Sequence, residues 1–167
     1  MRIVLFMLLM LTLDSLTANP VSYQEGNLIL PGVAVADEEA NAYFEDVMLR
    51  YEGDGLFRVV EVSSRTLVAI EFLHVHVLQG EPEQALVTIK GFKSNPCVEL
   101  LAPAISRAEN RFSIVLAESQ LTETEICVNA TGPFTTAYVL ELSELASGDY
   151  LVLVNGERIA FSFESIE

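Results

Sequence analysis

Short runs of alternating apolar and polar residues, separated by turn residues, make up most of the chain. Almost no segment shows the period of about 3.6 residues that an amphipathic helix requires. Residues 43–51 alternate most clearly, with apolar side chains on one face and Asp46 and Arg50 on the other. Asp-Gly at 54–55 and Asn-Gly at 155–156 are typical hairpin turns. The pattern predicts an all-β protein.

The spacing of strands and turns predicts two β modules. Residues 19–79 are predicted to form a short antiparallel β-meander of about four strands, at 27–35, 43–51, 56–62 and 66–78, after a loose terminus at 19–26. Residues 80–83 are polar and contain both Gly and Pro, and they predict a linker. Residues 84–167 hold the second module, with seven short predicted strands at 85–90, 97–101, 111–117, 126–128, 138–142, 150–154 and 158–163. Seven strands at this spacing, with two cysteines on non-adjacent strands, are typical of an immunoglobulin-like β-sandwich.

Residues 1–18 predict a signal peptide. Arg2 precedes an uncharged apolar run at residues 3–13. As a helix this run rises only about 16 Å, roughly half of a hydrocarbon core, which suits a signal peptide better than a membrane span. Ala18 ends a plausible cleavage site. We therefore expect a protein without a membrane span that is exported to the periplasm or beyond the cell. The alternative is a buried N-terminal strand or helix.

The chain is strongly acidic, with a formal net charge of −15 and only nine Lys and Arg residues. No basic stripe compensates this charge, so the sequence disfavours binding to nucleic acid. The charge favours solubility. Attraction to a basic partner or to divalent cations is the alternative interpretation.

Both cysteines, Cys97 and Cys127, lie in the second module. An even number of cysteines in an exported protein predicts a disulfide first. We expect that bridge to stabilise the small sandwich by about 3–4 kcal/mol in the chain-entropy model.

Several segments of the second module resemble a known type of domain. These are Cys97, the strand at 111–116, Cys127, Pro133 with Phe134, residues 147–156, and residues 161–163. Together they resemble the C-terminal β-sandwich of uncharacterised exported proteins and lipoproteins of Gram-negative bacteria. The resemblance implies a fold and no particular activity, and the chain lacks the lipid-accepting cysteine of the lipoprotein members.

His74 and His76 are the candidate metal ligands. Residues i and i+2 of a strand point to the same face, so both imidazoles could bind one metal ion or respond to pH. Glu71 and Glu81 are the nearest acids in the sequence. The alternative is two histidines on the solvent face of a strand. The acidic stretches at 37–39 and at Glu52 with Asp54 lack the ligand spacing of a calcium loop, and solvated loops are the favoured interpretation.

The sequence contains no nucleophile motif, no Cys–His pair with a free thiol, and no cofactor motif. We therefore predict no catalytic residues and no cofactor. The expected function is that of an exported, non-catalytic binding or structural protein with an unknown protein or envelope partner. The alternatives are a metal-binding or pH-responsive protein that uses His74 and His76, and a hydrolase with an unrecognised site. The expected recognition surface combines the turn at 54–55 with the strand ends near the two histidines.

Overall fold

Runs rich in β-branched and aromatic residues form strands throughout the described part of the chain. A computed structural model describes residues 21–36, 40–80, 82–121 and 127–165, and it contains strands and no helix in these ranges. The strands are β1 (Ser22–Gln24), β2 (Asn27–Ala36), β3 (Asn41–Gly53), β4 (Leu56–Arg65), β5 (Ala69–Leu78), β6 (Gln84–Lys93), β7 (Ala104–Ala108), β8 (Arg111–Val115), β9 (Gly132–Glu141), β10 (Gly148–Val154) and β11 (Glu157–Phe163). The predicted all-β class is confirmed.

The first four strands form an antiparallel meander in the order β1-β2-β3-β4, which we call the N-terminal sheet. Asp54 and Gly55 both have positive φ, 50° and 79°, as a tight β3–β4 hairpin turn requires. Strand β1 lies in a segment that the sequence predicted to be a loose terminus. The predicted fourth strand of the meander is instead β5, which belongs to a different sheet.

Two sheets form the C-terminal sandwich. The smaller sandwich sheet has the order β5-β6-β9, and the larger sandwich sheet has the order β11-β10-β8-β7. Their facing sides enclose the main core, in which Val87 and Ile89 of β6 meet residues such as Ile114 and Val152, all at most 1% exposed. The sandwich therefore has one apolar layer between its two sheets.

Strand β5, at the end of the first predicted module, belongs to the sandwich and changes the domain boundary. Strand β5 pairs with β6 along its length, from Ala69 opposite Phe92 to Leu78 opposite Gln84. The predicted linker at 80–83 thus lies between two neighbouring strands of one sheet, and the sandwich begins before it. The prediction of a module boundary there was wrong because Gly and Pro mark a hairpin connection as well as they mark a linker.

The seven sandwich strands also differ in detail from those predicted. No strand covers the described part of 97–101 or of 126–128, whereas β5 and the unpredicted β7 supply two strands. Strand β8 pairs with β10 in parallel, and every other strand pair of the sandwich is antiparallel. This parallel pair departs from the antiparallel sheets of an immunoglobulin domain.

The N-terminal sheet packs on the outer face of the larger sandwich sheet. Tyr43 of β3 is buried there with Val115 and Ala117, and the Tyr43 hydroxyl donates a hydrogen bond to the carbonyl of Ala102 at 3.2 Å. Gly32 lies beneath the Tyr43 ring, and a Cβ at that position would meet the hydroxyl at 2.9 Å. We call this contact the seam; it holds the N-terminal sheet on the sandwich.

The sulfur atoms of Cys97 and Cys127 lie at bonding distance, and their Cα atoms are 6.2 Å apart. This geometry agrees with the predicted disulfide. The adjacent loop is fixed by Asn95, whose side chain accepts a hydrogen bond from the Cys97 amide and donates one to the carbonyl of Val128.

Candidate binding surfaces

The two histidines share one face of β5, as the strand period predicts. Leu73 and Val75 point into the core, so His74 and His76 lie on the opposite, outer face, where both are exposed. Phe72 stacks beside His74, with ring centroids 6.4 Å apart.

The described residues supply no third metal ligand beside this pair. Glu71 occupies an irregular position in β5, between the register pairs of Ile70 and Phe72. Glu81, the other acid considered, lies outside the described residues. In the ranges that the structure describes, no three His, Cys, Asp or Glu side chains are grouped to hold a metal ion.

The acidic stretches also provide no described cation site. Residues 37–39 and the predicted signal peptide at 1–18 lie outside the described ranges. Glu52 forms an ion pair with Arg58, with a nitrogen–oxygen distance of 2.5 Å, so a carboxylate predicted to be solvated is engaged within the sheet.

The predicted recognition surface is divided in the structure. Strand β4 runs from Leu56, beside the turn at 54–55, to Arg65, which lies opposite Tyr43 at the seam. Ten residues of strand span about 30 Å. The turn therefore projects away from the sandwich that carries His74 and His76, and the two features do not form one surface.

The exposed end of the N-terminal sheet carries an apolar patch that the sequence analysis missed. Tyr43, Val47, Leu49 and Tyr51 alternate along β3 on one face, and the register places Val59 opposite Leu49 and Phe57 opposite Tyr51 on that same face. Near the seam this face is covered, and beyond it Tyr51, Phe57 and Val59 are 45%, 46% and 56% exposed. We call these three residues the distal patch.

The distal patch is both aromatic and locally neutral. The rings of Tyr51 and Phe57 lie 5.3 Å apart between centroids. The two arginines of β4 are paired within the sheet, Arg58 with Glu52 and Arg65 with Glu45. The sequence alone could not reveal the patch. Alternating apolar residues predict a buried sheet face, and they do not show which part of that face stays exposed.

A second open surface lies on one side of the sandwich. The side chains of Ile105 and Arg107 in β7 point inward, because their register partners Ile114 and Phe112 are core residues. Ile114 is 1% exposed, whereas Ile105, one strand further out on the same face, is 43% exposed. A groove of about 570 Å³ opens here between β7 and β9, with Phe112 at its floor.

A smaller polar cleft lies where the end of β4 meets the loops after β6 and β8. Glu118 is buried there, and its carboxylate accepts a hydrogen bond from the Ser94 amide at 2.8 Å. The Glu118 amide donates to the carbonyl of Thr66 at 3.0 Å. Glu118 therefore joins three segments of backbone, and this structural role accounts for the burial of its carboxylate.

Comparison with known proteins supports the sandwich. Residues 87–165 match the family model of the ORF11 beta-sandwich domain. The match begins inside β6, so β5 completes the sandwich from outside the matched segment. No curated protein and no solved structure matches the chain significantly. Among the described residues no helix is long and apolar enough to cross a membrane.

Proposed function

We propose that this chain is an exported, non-catalytic protein that binds another protein through the distal patch of its N-terminal sheet. The observation that carries the proposal is the change in burial along one sheet face. Tyr43 and Val47 are each 7% exposed near the seam, and Tyr51, Phe57 and Val59 continue the same face uncovered. Exposed, contiguous apolar surface of this kind marks interaction sites on proteins.

The composition of the patch favours a protein partner. Aromatic residues are enriched at protein interfaces because they bury large areas at a low cost in side-chain entropy. Arg58 and Glu52 alternate with Phe57 and Tyr51 and so lie on the opposite face of the sheet, and a partner that covers the patch need not desolvate their ion pair.

Export is supported by the apolar run at residues 3–13 behind Arg2 and by the paired cysteines. Disulfides persist in oxidising compartments, so the periplasm or the extracellular space is the proposed location. A non-catalytic role is supported by the chemistry of the candidate residues, since both cysteines are joined and both histidines lie exposed on the outer face of β5.

A charge placed in the distal patch tests the proposal. We expect Val59→Lys to abolish capture of a partner from envelope and extracellular fractions of the source organism, because the lysine must be desolvated at the interface. The matched control is Val35→Lys, which changes a 46% exposed valine in the same sheet. Val35 pairs with Ala42, on the face opposite the patch.

The measurement is quantitative capture by the immobilised mature protein, with mass spectrometry of the captured proteins. A protein retained by the wild type and by Val35→Lys and lost with Val59→Lys supports the proposal. Equal capture by both variants, or no specific capture by the wild type, contradicts it.

A further inference from the structure

We infer that the groove between β7 and β9 binds an extended segment of another polypeptide, which adds as a fourth strand to the edge of β9 that faces away from β6. This surface belongs to the sandwich and is separate from the distal patch, so the inference goes beyond the proposed function and does not depend on it.

The two sandwich sheets are unequal, and the difference lies on one side. Strands β5 and β11, at one side of the sandwich, approach within 8 Å between Cα atoms, so that side is closed. On the other side the larger sandwich sheet extends by one strand, β7, which no described strand of the smaller sandwich sheet covers. The contrast between Ile114, 1% exposed, and its partner Ile105, 43% exposed, marks where the cover ends. The uncovered width corresponds to a single strand position beside β9.

No strand of the described ranges pairs with the edge of β9 that faces away from β6, and this edge has few of the features that protect sheet edges. Natural edge strands carry charges, prolines or bulges that prevent pairing with other chains. Between residues 134 and 140, β9 has no charged residue, no proline and no glycine. Its register with β6 runs without a bulge from Gln84 opposite Glu141 to Lys93 opposite Gly132. By contrast, β5, the other edge of the same sheet, is irregular at Glu71.

A strand added at this edge of β9 would extend the smaller sandwich sheet and would also cover β7. Its backbone would pair with the amides and carbonyls on the edge of β9 that faces away from β6, and its alternate side chains would point into the groove. Those inward side chains would cover Ile105 and Phe112, so apolar residues are required at alternate positions of the segment.

The geometry favours a lone extended segment over a second copy of the chain. In a symmetric dimer with β9 paired to β9, β7 of each copy would extend beneath β9 of the other copy. That position is already occupied by β8 of the other copy. A net charge of −15 on each copy opposes such pairing further. Two carboxylates, Glu141 and Glu144, and one cation, Arg107, line the groove, and the whole chain is acidic, so the segment is neutral or basic in charge.

A synthetic peptide tests this inference directly. The probe is a fluorescently labelled peptide of about ten residues that alternates Val and Thr between terminal lysines, matching the length of β9. A peptide of the same composition with the valines grouped together is its control. We expect saturable binding of the alternating peptide to the mature protein, by fluorescence anisotropy, with a Kd on the order of 10–100 µM. Amide hydrogen exchange should slow at residues 134–140.

Two substitutions test where on the protein the peptide binds. Ile105→Lys should weaken binding by about tenfold or more, because the lysine would lie against the inward side chains of the peptide. Since Ile105 is 43% exposed, its replacement should leave the melting temperature nearly unchanged. Ala137→Lys, at an exposed position on the outer face of β9, is a second variant that should also weaken binding, because a lysine on an edge strand opposes pairing with another chain. Val59→Lys in the distal patch is the control and should bind normally, so this test and the test of the proposed function fail independently.

Three results would overturn the inference. The first is the absence of slowed exchange in β9 at peptide concentrations up to about 1 mM. The second is equal affinity of the wild type and both variants, and the third is a dimer whose β9 amides are protected without any peptide.

Discussion

At the scale of single residues, Asn155 connects three parts of the sandwich. It occupies the β10–β11 turn with φ of 49°, a conformation that asparagine tolerates better than most residues. Its side-chain amide donates to the carbonyls of Val68 and Leu116 at 2.9 and 2.8 Å, and its side-chain oxygen accepts from the Leu116 amide at 2.9 Å. One side chain therefore joins the turn to the end of β8 and to the segment before β5.

We expect Asn155→Gly to lower the free energy of unfolding by about 2–3 kcal/mol, since it removes three part-buried hydrogen bonds and keeps the freedom to adopt positive φ. Asn155→Ala should cost about 1 kcal/mol more, because alanine is also strained in that conformation. Urea denaturation monitored by circular dichroism measures both. If the glycine variant were as stable as the wild type, the side-chain bonds would contribute nothing.

The sequence predicted the turn at 155–156 but not the role of Asn155. Turn propensity is local and depends on two adjacent residues. The hydrogen-bond partners of Asn155 lie 39 and 87 residues away, and only the assembled fold brings them together. The two histidines illustrate the same limit, because the strand period placed them on one face correctly and could not show whether a third ligand lies near.

At the scale of strands, the hydrophobic pattern located strands better than it assigned them to sheets. Residues 66–78 were predicted as a strand, and β5 forms there, yet its partner is β6 and not β4. The pattern records that a segment has an apolar face, whereas pairing depends on how that face is covered. Strand β7 was missed because four of its five residues are exposed, so its sequence has little alternation to detect.

Gly91 allows β5 and β6 to approach each other. A Cβ built on Gly91 would lie 2.0 Å from the carbonyl oxygen of Ala69, too close for any side chain. We expect Gly91→Ala to destabilise the fold by about 1–3 kcal/mol, because the backbone of β5 must shift to relieve the overlap.

Gly148→Ala is the matched control, since a Cβ at Gly148 would meet no atom within 4 Å. Differential scanning calorimetry of the two variants makes the comparison. A Gly91 variant that melts at the temperature of the Gly148 variant would show that the close approach carries no cost.

At the scale of the whole molecule, a disulfide-bonded sandwich carries a single-layer sheet that packs against the sandwich at one end only. The sandwich has its own core and a disulfide, whereas the N-terminal sheet lies outside both. Its anchorage depends on the seam at Tyr43, Val115 and Ala117. The arrangement leaves two open surfaces on different parts of the molecule, the distal patch and the edge of β9.

The seam should respond to alkaline pH. Burial, together with the nearby negative charge of Glu45, raises the pKa of the Tyr43 hydroxyl above its ordinary value of 10.0. The folded chain therefore holds this proton more tightly than the unfolded chain does. The resulting stability is fully present below pH 10.0 and is lost as the pH rises above 10.0 towards the raised pKa.

Tyr43→Phe should isolate this effect. At about pH 8 the variant should be less stable than the wild type by about 1 kcal/mol, because it lacks the hydrogen bond to Ala102. Between about pH 10 and about pH 11.5 the difference should shrink, since only the wild type must bury a hydroxyl that unfolding would ionise. Urea midpoints across this range measure the difference, and Tyr23→Phe, at a tyrosine that is 59% exposed, controls for general alkaline effects. A constant gap between wild type and variant across this range would contradict a raised pKa of the buried Tyr43 hydroxyl.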